Sequence, residues 1–121
     1  MSYIAVGLGG VLGSVSRYAL GKSISRYNRT TFPWATFLIN VLGALLLGVV
    51  SAIHAGNMLY WTVGEGFLGA FTTFSTFMYE GFSLFNNNKY LNAFIYIATT
   101  IVLGIAGYST SYFCIISILL K

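Results

Sequence analysis

The chain has 121 residues, 57% of them hydrophobic and only 7% charged, with a net charge of +4 and a mean hydropathy of +0.81. Soluble domains carry about a quarter charged residues, so the composition excludes a soluble fold and points to an integral membrane protein. One histidine, His54, and two acids, Glu65 and Glu80, provide neither a nucleophile paired with a base nor a set of metal-binding side chains, which argues against an enzyme.

Apolar blocks run over residues 3–20, 34–53, 59–85 and 91–120, each long enough to cross a hydrocarbon core that takes ~20 helical residues. The expected fold is all-α: a single four-helix transmembrane domain over residues 1–121. No Lys or Arg precedes the first block and no small-residue cleavage site follows it, so it is expected to be retained rather than removed as a signal peptide. Within it, Gly9-x-x-x-Gly13 reads as a pair of small residues that lets two membrane helices approach closely. The neighbouring glycines do not have the spacing of a dinucleotide fingerprint. Arg17 and Tyr18 close the block, where an arginine either snorkels to the headgroups or faces a vestibule.

The first loop carries Lys22, Arg26 and Arg29, and the third carries Lys89. Basic loops mark the cytoplasmic side, so both termini are expected outside. Pro33-Trp34 starts the second helix with a helix-opening proline beside an interfacial aromatic. Asn40 lies about two turns inside it, with Thr36 and Gly43 on the same face. A buried Asn serves either as an interhelical hydrogen bond, the commoner case, or as a ligand contact.

As one continuous helix the third block would be about 40 Å long, more than a ~30 Å core requires. Gly64, Gly66 and Gly69 precede Thr72 and Thr73, which is weak helix material, so a break is expected near 69–73. Carbonyls freed there suit a bare cation such as Na⁺. The same stretch gathers Thr72, Thr73, Ser75 and Thr76 inside an apolar segment, a cluster that suggests a lined path. Phe74 and Phe77 follow three apart, with Glu80 a turn further. On the fourth helix Tyr96, Thr100 and Gly104 share a stripe, and such hydroxyls either form a track or bond their own backbone. Cys114 reads as a small apolar core residue, with no disulfide framework.

Taken together, GGVLGSVSRY at 9–18, ATFLINVLGALLLG at 35–48 and GEGFLGAFTTFSTF at 64–77 resemble the small bacterial fluoride channels, the Fluc or CrcB family of fluoride exporters. That resemblance implies an antiparallel dimer in the cell membrane with two fluoride pores along its interface. It implies that Asn40 contacts fluoride or its water, that the ring edges of Phe74 and Phe77 line the pathway, and that Tyr96 is the pore tyrosine. Ser75, Thr76 and Thr100 would add hydroxyls, Glu80 the acid after the Phe pair, and Arg17 the vestibule arginine. A structural Na⁺ at the dimer centre would look to the backbone carbonyls of Gly69 and Thr72, with two more from the partner subunit.

The chain departs from the family at Ala35, where Gly is usual, and at Gly104 and Tyr108, where the hydroxyl track thins. Its biased Lys and Arg count resembles the paired members, in which two homologous chains insert oppositely as a heterodimer, rather than the homodimeric ones. Two rivals remain. A small proton-coupled multidrug exporter needs an acid on its first helix, which this chain lacks. A non-conducting membrane subunit would use the same residues for packing alone.

Overall fold

The computed structural model describes residues 3–53 and 59–121; His54 lies outside the described residues. The elements are α1 (Tyr3–Tyr27), α2 (Trp34–Ile53), α3, α4 (Phe74–Asn86) and α5 (Tyr90–Leu119), where α3 is a π-helical stretch, Tyr60–Leu68, that tightens into an α-helical turn, Gly69–Phe71. No strand occurs among the described residues. α1, α2 and α5 are each long and apolar enough to cross a bilayer, with mean hydropathies of 1.3, 2.3 and 1.7. The protein is a multi-pass membrane protein.

α1 outruns its apolar block by seven residues, continuing from Leu20 to Tyr27. Hydropathy stops where lipid stops, whereas the helical hydrogen-bond ladder continues through Lys22 and Arg26, good helix formers whose charges suit a helix C-terminus. The 59–85 block is carried by two helices, α3 and α4, rather than by one.

α1 runs along α3, and α2 runs along α5. Glycine sets the first of these contacts. A methyl group on Gly9 would collide with the Thr62 carbonyl, one on Gly13 with the Phe67 carbonyl, and one on Gly66 with the Val6 carbonyl. The two backbones therefore touch without side chains between them, as the small-residue spacing predicts. One core cluster, Phe37, Phe77, Leu84, Ala93 and Tyr96, joins α2, α4 and α5; a second, Ile39, Leu68 and Phe71, joins α2 to α3.

Asn92 donates to the Thr31 hydroxyl at 3.1 Å, which brings the start of α5 beside the α1–α2 loop. Arg29 and Lys89, in the loops before α2 and α5, thus lie at one end of the bundle. Cys114 is exposed rather than part of the core. The buried residues of α5, Ala93, Tyr96 and Thr100, all lie in its first half, and beyond them the helix turns most of its surface outward.

Candidate functional site

Between α3 and α4 two residues leave helical geometry. Thr72 has φ −80° and ψ 159°, and Thr73 has φ −146° and ψ 122°. Extended backbone inside an apolar segment exposes peptide groups that lipid cannot satisfy, and Asn40 on α2 satisfies those of Thr73. Its Nδ2 donates to the Thr73 carbonyl and its Oδ1 accepts from the Thr73 N–H, each at 2.9 Å. The Thr73 hydroxyl accepts from the Thr76 N–H at 3.3 Å and so caps α4. Gly43, one turn along α2, lets this happen, since a methyl there would strike the Thr72 side chain.

These bonds redirect two donors. In an unbroken helix the Thr73 N–H would serve the Gly69 carbonyl and the Thr76 N–H the Thr72 carbonyl; here they go to Asn40 and to the Thr73 side chain. The carbonyl oxygens of Gly69 and Thr72 are thereby released. Thr72 itself is held by its N–H and its hydroxyl, which both donate to the Leu68 carbonyl at 3.0 Å.

Two clefts flank the junction. The first, about 280 Å³, is walled by Asn40, Gly43, Glu65, Gly69 and Thr72. The second, about 560 Å³, brings together Arg17, Lys22, Thr36, Thr73, Thr76 and Glu80. Arg17 is half-buried at this mouth. The Thr36 hydroxyl donates to the Glu80 carboxylate in a short hydrogen bond.

Phe74 and Phe77 are neighbours, with ring centroids 6.1 Å apart, yet unequally placed. Phe74 is 74% exposed and Phe77 only 6%, its ring packed 5.2 Å from that of Tyr96. Ser75 and Thr76 are exposed on the first turn of α4. Tyr96 is fully buried, and its hydroxyl has no hydrogen-bond partner among the described residues. Thr100 is buried too, but its hydroxyl donates to the Tyr96 carbonyl at 2.6 Å, so that proton is committed to its own helix.

Thr73 stands in the sequence only as one of a hydroxyl cluster and Thr36 only as a neighbour of Asn40 on one face; the bonds that each makes come from the structure. A threonine directly ahead of an apolar run is the local signal for the Thr73 cap. The Thr36–Glu80 and Asn40–Thr73 pairings span 44 and 33 residues, and no local pattern reports contacts of that kind.

The family model described as "CrcB-like protein, Camphor Resistance (CrcB)" matches residues 4–112. A protein of Clostridium acetobutylicum named fluoride-specific ion channel FluC 2 is 53% identical over 108 residues, covering 89% of this chain and 92% of that one. One strain of Bacillus cereus has two such relatives. Its fluoride-specific ion channel FluC 2 is 42% identical over 107 residues, 87% of this chain and 89% of that one. Its FluC 1 is 41% identical over 122 residues, 93% of this chain and 89% of that one. With a match over nearly its whole length, the chain belongs to the CrcB, or Fluc, family.

Proposed function

We propose that this protein is a fluoride-selective channel that lowers cytoplasmic fluoride by passive efflux across the cell membrane. In this reading the chain is a single four-span domain, α3 and α4 together forming a third span broken at Thr72–Thr73. Two chains of opposite topology pair as an antiparallel dimer, with a pore on each side of the interface. The names of its close relatives support the choice of ion.

The observation that carries the reading is the Asn40 junction. The Asn40 amide has two N–H groups; one is committed to Thr73, and the other is available to an anion beside the N-terminal end of α4, where the helix dipole is positive. The buried Tyr96 hydroxyl is a second donor without a partner among the described residues. Fluoride is small and strongly hydrated, so entry requires replacement hydrogen bonds of this kind, to which the Ser75 and Thr76 hydroxyls add. The rings of Phe74 and Phe77 offer positive edges that face an anion without holding it tightly. Phe74 is open on this chain, as a wall completed by a second chain would be. Thr100 steadies the backbone beneath Tyr96, and Arg17 and Lys22 make the mouth attractive to anions despite Glu80, which Thr36 holds.

A structural Na⁺ fits the released Gly69 and Thr72 carbonyls, hard oxygens suited to a hard cation. When bound at the dimer centre, with equivalent oxygens from a partner, it supplies a fixed positive charge between the broken helices. Two features support a homologous partner over an identical one: the Lys and Arg bias towards one end, and the occurrence of FluC 1 and FluC 2 relatives in one bacterial strain. The termini then lie outside in this chain.

Liposomes loaded with fluoride and chloride test the reading. Channel-containing vesicles are expected to release fluoride rapidly without a proton gradient while keeping chloride. No fluoride release, from the chain alone or with a homologous partner, would refute it, and release that needs a proton gradient would favour a coupled exporter.

A further inference from the structure

We propose that Glu65 belongs to the cation site, supplying the negative charge that the Gly69 and Thr72 carbonyls lack; this rests on the central-Na⁺ reading above and adds a residue to it. Glu65, Gly69 and Thr72 line one cleft of about 280 Å³, with Asn40 and Gly43 across from them. The three positions fall at i, i+4 and i+7, along one side of α3 and its end.

The π-helical winding of Tyr60–Leu68 fixes the carboxylate. Its hydrogen bonds run five residues along, so residues 60 and 65 stack. The Tyr60 hydroxyl accordingly donates to Glu65 Oε1 at 3.2 Å. A neutral phenol orients a carboxylate but does not cancel its charge, and no Lys, Arg or His lines this cleft among the described residues.

Glu65 is exposed on this chain, six residues into an apolar block, and the second chain of the proposed dimer would cover it. An ionised carboxylate at such depth is costly unless a positive charge answers it. The other acid does not share the site, because Glu80 lies in the opposite cleft, bonded to Thr36. Carboxylate and carbonyl oxygens together form a hard donor set that an alkali cation prefers. A cation held here is therefore the counter-charge to Glu65.

The test is thermal unfolding of the purified dimer against Na⁺ concentration, at ionic strength held constant with a bulky organic cation. The wild-type midpoint rises with Na⁺. Glu65→Gln raises the half-saturating Na⁺ concentration by about tenfold or more, and Glu65→Ser, a smaller neutral side chain, does the same should the Gln variant fail to assemble. Tyr60→Phe keeps the carboxylate and stays within about twofold of wild type. An unshifted half-point in the neutral variants overturns the role of Glu65, as does a Tyr60→Phe shift equal to theirs, which would make the pair a structural latch. A wild-type dimer indifferent to Na⁺ overturns the central-cation reading itself.

Discussion

Asn40 on α2 and Thr73 between α3 and α4 are joined by two antiparallel hydrogen bonds of 2.9 Å, the side-chain amide meeting both polar groups of one peptide residue. A primary carboxamide has the donor and acceptor geometry of a backbone amide, so Asn40 takes the place of the helical neighbours that Thr73 gives up. The interruption is thereby compatible with an apolar surround. One side chain holds the junction through one N–H and its oxygen and, in the proposed function, offers its second N–H to the ion.

Asn40→Ala leaves the Thr73 N–H and carbonyl without partners and is expected to lower stability by about 2–4 kcal/mol, read as a loss of folded protein on size-exclusion chromatography and a lower melting temperature. Asn40→Asp keeps the acceptor for the Thr73 N–H but removes both N–H donors and adds negative charge. Because it also sets a carboxylate oxygen against the Thr73 carbonyl, it is expected to lower stability as Asn40→Ala does and, in the protein that remains folded, to abolish fluoride efflux. An Asp variant that conducts like wild type would show that the amide does not meet the ion.

Phe74 and Phe77 differ in burial, and their variants should differ in kind. Phe77→Ile keeps bulk in the core against Tyr96 but removes the aromatic edge, so it is expected to cut fluoride flux strongly, with a stability loss of about 1 kcal/mol. Phe74→Ile, at an exposed position, should reduce flux with no change in melting temperature. Efflux and melting curves on the same preparations check both, and unchanged flux in the pair would remove the rings from the pathway.

The Thr36–Glu80 bond predicts a hydroxyl requirement. Thr36→Val removes the donor from a half-buried carboxylate and is expected to slow fluoride efflux by about tenfold or more. Thr36→Ser restores the donor and most of the rate. Equal rates in Val and Ser variants would mean that the threonine serves only packing.

Backbone contact between α1 and α3 predicts that Gly13→Ala, whose methyl meets the Phe67 carbonyl, destabilises the protein by about 1–3 kcal/mol. Gly7→Ala on the same helix has open space around it and should leave the melting temperature unchanged. A detergent melting series checks the pair, and equal melting temperatures would contradict the close approach.

Much of this architecture is legible in the sequence because lipid imposes a single strong rule. The span 34–53 coincides with α2, and 91–120 lies within a residue of α5 at each end, since hydropathy and helix end together there. α1 shows where the rule stops: Lys22 to Tyr27 remain helical in the absence of any apolar signal. The π winding of Tyr60–Leu68 is not written in composition, because hydrophobic periodicity cannot distinguish a π turn from an α turn over nine residues. At the candidate site, the interhelical reading of Asn40 proved to be the contact present within the chain. Its partner depended on how α2 meets the α3–α4 junction, a relationship no spacing encodes. The pairing of Phe77 with Tyr96 is hidden for the same reason, as a core contact between α4 and α5.

Fluoride permeability measured electrically, in planar bilayers holding the assembled protein between solutions with opposed fluoride and chloride gradients, tests the central claim most directly. The account predicts a current that reverses near the fluoride equilibrium potential and disappears with Asn40→Asp. A current that reverses with chloride, or one that survives the loss of the Asn40 amide, would contradict it.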